Sequence, residues 1–67
     1  MERRVLETHQ DLLTVAEVAT ALRVTTKTVY ALLHRGELRG FRIGRSIRVR
    51  RDDVAGFVER SREAGLR

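Results

Sequence analysis

The side chains best suited to chemistry in this 67-residue sequence are cations and hydroxyls, and they are concentrated in its middle. Nine of the fourteen basic residues lie between Arg23 and Arg51, where Glu37 is the one acid. That segment carries a formal charge of +8, so the rest of the +5 chain carries −3. A basic segment between mildly acidic ends is typical of polyanion binders. The alternative is that these charges only keep the protein surface soluble. Because the positive charge is concentrated in one segment, nucleic-acid binding is the favoured interpretation.

The first group of candidate contacts consists of polar side chains close together in the sequence: Thr25, Thr26, Lys27, Thr28, Tyr30 and His34. Hydroxyls and the lysine ammonium can donate to phosphates or to base edges. Tyr30 and His34 follow about one and two helical turns later and could reach backbone or bases. Thr25 and Thr28 are explained equally well as helix caps, and His34 as a solvated residue at a helix end.

The second group surrounds a Gly-Arg turn and is almost entirely arginine: Arg42, Arg45, Ser46, Arg48 and Arg50. Arginine offers fixed, charge-assisted donors to phosphate and suits insertion into a narrow minor groove. The alternative is that these cations only protect an exposed strand edge from aggregation. No acid interrupts the group, which favours contact with DNA.

The inventory of residues does not indicate an enzyme. His9 and His34 lie on different predicted elements without partner ligands, and the chain has no cysteine and no Gly-Lys-Ser/Thr phosphate loop. We therefore predict no catalytic residue, metal or cofactor. The longest apolar run, residues 29–33, cannot span a bilayer, and the N-terminus lacks an apolar signal stretch. These features predict a cytoplasmic, nucleoid-associated protein with no membrane partner.

Two helices with a short link are predicted in the first half. Thr14 and Glu17 have the spacing of a capping box, and one apolar stripe follows: Val15, Val18, Ala19 and Leu22. A second helix has Thr25 as its N-cap and Gly36 as its left-handed stop. Only two or three residues separate the helices, as in a helix-turn-helix.

After Leu38 the hydrophobic period changes from 3.6 to 2, which predicts a hairpin turning at Gly44 and Arg45. We expect one face of this ribbon to be apolar and packed on the helices, with the other nearly all arginine. The apolar face would hold Phe41, Ile43, Ile47 and Val49. With Phe41 and Phe57 turned inward, Tyr30 is the one aromatic left for stacking, which favours duplex DNA over single-stranded RNA.

A final helix is predicted from about Asp52 to Arg62. The fold class is therefore mainly α with a small β-hairpin, a winged helix-turn-helix. The domain would cover residues 11–63, between a flexible N-terminal arm (1–10) and a flexible tail (64–67).

Five segments, in this order, resemble the excisionase-type branch of the MerR-like winged helix-turn-helix family: LLTVAEVA (12–19), VTTKTVY (24–30), GEL (36–38), FRIGR (41–45) and RDDV (51–54). The resemblance implies a recognition helix (25–35) in the major groove and a wing (41–49) on the adjacent backbone or minor groove. It also implies a small architectural factor. Such a factor binds repeated sites cooperatively beside further copies of itself, bends double-stranded DNA and directs an integrase toward excision.

The sequence departs from this family at three positions. Arg23 stands where the family usually has a turn glycine, Ala31 replaces a frequent basic residue, and Arg50 replaces a common proline. If the turn requires a positive φ at Arg23, arginine costs about 1–2 kcal/mol there. Without heptads or an effector domain, no small-molecule effector is expected. Two other functions stay open: a minimal MerR-like transcriptional regulator, and a protein–protein adaptor with a basic face.

Overall fold

The computed structural model describes residues 11–65, and the predicted arm (1–10) and the last two residues of the predicted tail lie outside the described residues. The elements in chain order are β1 (Leu12–Thr14), α1 (Val15–Leu22), α2 (Thr26–His34), β2 (Phe41–Ile43), β3 (Ser46–Arg50) and α3 (Arg51–Ala64). Helices dominate and the strands form one small antiparallel sheet. The predicted winged helix-turn-helix fold class is confirmed.

Helix α1 begins at the predicted capping box. The Thr14 backbone N–H donates to Glu17 Oε1 at 2.8 Å, and the Glu17 backbone N–H donates to Thr14 Oγ1 at 3.0 Å. Two of the N–H groups that a helix start leaves without partners are thereby satisfied. The apolar stripe behind the cap buries Val15, Val18 and Ala19.

The corner between α1 and α2 turns at Arg23, which has φ 59° and ψ 45° and is the one non-glycine residue with positive φ among the described residues. The left-handed conformation that the sequence departure raised as a possibility is therefore present. The Val24 N–H donates back to the Ala19 carbonyl at 3.0 Å, which closes the turn. Thr25 then caps α2, so three residues, 23–25, connect the two helices.

A third strand was not predicted from the sequence. Strand β1 pairs antiparallel with β3, and the sheet order is β1-β3-β2. Leu13 pairs with Val49, which is 0% exposed, so this pairing brings an apolar side chain onto the core. A two-stranded hairpin is marginal alone, and the added strand anchors the base of the wing.

The predicted division of the ribbon into an apolar face and an arginine face is wrong. Phe41 pairs with Arg48, Arg42 with Ile47, and Ile43 with Ser46. Residues directly opposite each other in an antiparallel pair point to the same side. Phe41 and Ile43 therefore share a face with Ser46 and Arg48, whereas Arg42 shares the inner face with Ile47.

Helix α3 begins one residue earlier and ends two residues later than predicted. Arg50 is its N-cap residue and makes no side-chain capping hydrogen bond, while Asp52 and Asp53 lie in its first turn, where carboxylates suit the helix dipole. Val54 is buried and Phe57 packs against the core.

The core is one small cluster beneath the helices and β3: Val15, Val18, Ala19, Val29, Leu32, Leu38, Val49 and Val54. Helix α2 contributes Val29 and Leu32, which lie on one side of that helix. Because this side is fixed in the core, the opposite side of α2 is held outward.

Candidate nucleic-acid interface

Most residues of the first candidate group lie on the exposed side of α2. Thr26, Lys27, Tyr30 and His34 are all exposed. At 3.6 residues per turn, Lys27 and His34 lie within about 20° of each other and about 10 Å apart along the axis. Tyr30 lies between them in height and is displaced toward one flank. These residues form a polar stripe suited to a groove of DNA.

The two remaining threonines are engaged at the start of α2. Thr25 Oγ1 accepts the Thr28 backbone N–H at 3.2 Å and lies 3.1 Å from the Thr28 hydroxyl oxygen. The capping interpretation of Thr25 is confirmed as a local structure. Thr28 also borders a depression shared with Leu32 and Phe57, so its side of α2 is turned toward α3.

The wing meets the other flank of α2. Leu33, about 60° around the helix from Tyr30, borders a shallow depression of about 230 Å³ with Gly40, Phe41, Arg42 and Ile47. A Cβ on Gly40 would lie 2.7 Å from Leu33 Cδ2, so helix and wing approach closely here and an added side chain would have to displace the end of Leu33. This joint places Arg42 beside the Tyr30 flank of α2.

The other wing residues do not share the position of Arg42. Arg45 is exposed at the turn, next to Gly44 with φ 60°. Arg48 is half-buried on the outer face, where its Nη1 donates to the Ile47 carbonyl at 2.9 Å. The expectation that all four wing arginines lie on one outer face or at the tip is therefore wrong for Arg42, because the register turns it inward.

A sequence profile of the family described as "Helix-turn-helix domain" matches residues 12–62, most of the chain. The chain belongs to this helix-turn-helix family. It is also 54% identical over 50 residues to the "Putative DNA-binding protein MT0521" of Mycobacterium tuberculosis strain CDC 1551 / Oshkosh. The "Putative DNA-binding protein Rv0500A" of strain ATCC 25618 / H37Rv matches with the same identity and length.

Both matches cover 75% of this chain and 64% of the relative. The helix-turn-helix chain thus spans less than two thirds of the length of the curated relatives it matches. No solved structure gives a significant match.

Glu37, the one acid of the basic segment, forms an ion pair with Arg35. Arg35 Nε donates to Glu37 Oε2 at 2.9 Å, and this hydrogen bond, with the opposite charge, lowers the pKa of Glu37 and raises the pKa of Arg35. The pair stabilises the fold above the unfolded-state pKa of Glu37, and that contribution is lost as pH falls through the lowered value. Both side chains are more than half exposed, so the effect is small.

Glu37 also connects the loop after α2 to α3. Its carbonyl oxygen accepts a hydrogen bond from Arg60 Nη2 at 3.2 Å. Glu37 borders a cleft with Arg39, Asp53 and Arg60, so these charges lie between the loop and α3.

Phe41 and Ile43 are the wing residues that the sequence interpretation misplaced. They are 41% and 51% exposed, so the reasoning that left Tyr30 as the one aromatic available for stacking was wrong for Phe41. The two-residue turn contained the signal, since pairing Ile43 with Ser46 across it puts Phe41 opposite Arg48.

Residues 11–65 contain neither a cluster of metal-ligating side chains nor a membrane-spanning helix. In this part of the chain no three His, Asp or Glu side chains come together as metal ligands. None of its helices combines the length and apolar character required to cross a bilayer.

Proposed function

We propose that the protein binds double-stranded DNA, with the exposed side of α2 in the major groove and the wing on the adjacent backbone or minor groove. The observation that carries the proposal is the joint at Gly40, which sets Arg42 beside the polar stripe of α2. The major groove admits one α-helix, and residues near the start of a recognition helix meet base edges. Thr26 and Lys27 occupy those positions, and Arg42 and Arg45 are available for phosphates.

We further propose that this DNA-binding protein is an architectural factor of the excisionase type. The segments that resemble that family, membership of the helix-turn-helix family and relatives named as DNA-binding proteins support this role. In it the protein has no catalytic activity of its own. Copies bind side by side on repeated sites of cytoplasmic, nucleoid DNA, and the resulting bend directs an integrase toward excision.

Selection from a pool of random 30-base-pair duplexes tests the binding mode. We expect the full chain to enrich a defined site and to bind it more tightly than heparin or the matching single strand. Lys27→Ala should relax the preference at one or two positions, each worth about 1–3 kcal/mol when read by a side chain. Arg62→Ala, on α3, is the matched control and should select the parental site. Equal binding to heparin, or the same site selected by the Lys27 variant, would contradict the proposed mode.

Mapping of bound sites in the native host tests the role. Paired sites beside an integrase gene would support excision, and deletion of the protein should then abolish loss of the flanked element. Single sites within promoters, with changed transcript levels on deletion, would replace this role by the transcriptional regulator. Neither outcome alters the groove assignment of α2.

A further inference from the structure

The outer face of the wing carries two large apolar side chains among cations. Phe41 and Ile43 are 41% and 51% exposed, and the whole of β2 is exposed. Arg48 lies opposite Phe41, and Ser46 lies opposite Ile43. Single exposed apolar residues are ordinary, but here two stand on one three-residue strand next to a turn that carries Arg45. Apolar and cationic groups therefore share the end of the ribbon.

The position of these residues connects them to the proposed DNA surface. Phe41 borders the depression beside Leu33, which adjoins the Tyr30 flank of α2. Ile43 borders a depression on the outer face with Ser46 and Arg48, and Glu17 of α1 lies at the other side of that depression. No acidic residue occurs between Leu38 and Arg51, so every charged side chain that the ribbon itself contributes is positive. Apolar side chains surrounded by these positive charges are suited to contact the sugars and base steps of DNA.

We propose that Phe41 and Ile43 form an apolar wedge that enters the minor groove, opens a base step and bends the duplex. This inference rests on the proposed DNA binding and adds the mechanism of deformation. Proteins that deform DNA from the minor groove insert phenylalanine or isoleucine between base pairs, while arginines hold the flanking phosphates. Two paired strands lie about 4.8 Å apart before side chains are added, and the minor groove is only about 6 Å wide. A ribbon of this kind must therefore widen the groove it enters.

The wedge predicts a preference for DNA that unstacks easily. Pyrimidine–purine steps such as TA kink at low cost, whereas duplexes without them resist deformation. The test uses two 30-base-pair duplexes of equal composition, one with central TA steps and one without pyrimidine–purine steps. Energy transfer between dyes on the duplex ends reports bending, and titration gives the affinity.

The double variant Phe41→Ser/Ile43→Ser removes the wedge without removing a charge. We expect the parent to bend the TA duplex and to bind it about 10-fold more tightly than the stiff one. The variant should lose the bend and the preference and keep the salt dependence of binding. Val58→Ser removes an apolar side chain of similar exposure, 37%, from α3 and should behave as the parent. Phe41→Leu keeps an apolar group and should retain part of the bend.

Other results would overturn the wedge. If the double variant bends the TA duplex as the parent does, the wedge is wrong while DNA binding stands. If its bend is intact and only its self-association in sedimentation is reduced, the face is an interface between copies. If the parent protein binds neither duplex, the proposed DNA binding is wrong, and the wedge, which rests on it, is wrong as well. Thermal unfolding of each variant confirms that the fold is retained.

Discussion

Arg23 has a side chain that is poorly suited to its backbone conformation. At φ 59° an L-residue brings its Cβ close to the following carbonyl, and only glycine avoids this contact without cost. Arg23→Gly should therefore raise the free energy of unfolding by about 0.5–1 kcal/mol, which is the relieved strain less the extra freedom of glycine in the unfolded chain. Urea unfolding followed by circular dichroism measures the change.

Arg23→Ala is the control for that substitution. Alanine removes the same charge and the same side chain but keeps the Cβ that causes the strain, so its stability should equal or fall below that of the parent. Equal stabilisation by alanine and glycine would show that charge repulsion, and not backbone strain, limits stability at this corner.

Local capping could be predicted from single residues, but the wing faces could not be assigned from alternation alone. The Thr14 and Glu17 contacts span three residues and need no information from elsewhere in the chain. Alternation within β2 and within β3 was also as expected. The error arose in joining them, because a two-residue turn pairs Ile43 with Ser46 and so reverses the expected face of β2.

The joint between the wing and α2 depends on the missing side chain of Gly40. Its φ is not positive, so glycine is favoured there by the space beside Leu33 and not by backbone conformation. Gly40→Ala should lower the free energy of unfolding by about 0.5–1.5 kcal/mol, the cost of forcing the Leu33 side chain away from its preferred rotamer, and should shift the wing slightly from α2. Unfolding and duplex titration, measured on the same preparation, should both be affected.

A double-mutant cycle with Leu33→Ala isolates that contact. Leu33 Cδ2 is the atom that the added Cβ would meet, so shortening Leu33 should recover part of the stability and duplex affinity lost in Gly40→Ala. Strictly additive losses would mean that the alanine acts elsewhere, for example on the Arg48 carbonyl 3.4 Å away.

Strand β1 is an element that the sequence pattern could not predict. Three residues, Leu12–Thr14, are too few for a period of 2 to be read, and their partners on β3 lie more than thirty residues away. The helices were predictable because their stripes and caps are local. The third strand forms because pairing with β3 places Leu13 on the core, and that benefit exists only once the core has assembled.

Charge is distributed unevenly over the assembled domain. Helix α2 carries one formal cation, Lys27, and the wing carries Arg42, Arg45 and Arg48, while α3 carries four acids and three arginines and so has a net charge of −1. The wing is therefore uniformly basic and α3 is nearly neutral, and sequence counting could predict that difference. The direction of each arginine could not be predicted, since Arg42 and Arg48 point to opposite faces through a register that the charges do not control.

Two pairs of arginine substitutions separate a specific basic surface from general attraction by net charge. Arg42→Gln/Arg45→Gln on the wing and Arg60→Gln/Arg62→Gln on α3 each lower the formal net charge by two. Each lost phosphate contact should reduce the slope of log affinity against log salt by about 0.9, so the wing pair should lower it by about 1.8. The α3 pair should leave the slope nearly unchanged. Titration of the selected duplex between about 50 and 200 mM salt gives both slopes. Equal slopes for the two pairs would mean that the wing makes no phosphate contact and that net charge alone attracts the DNA.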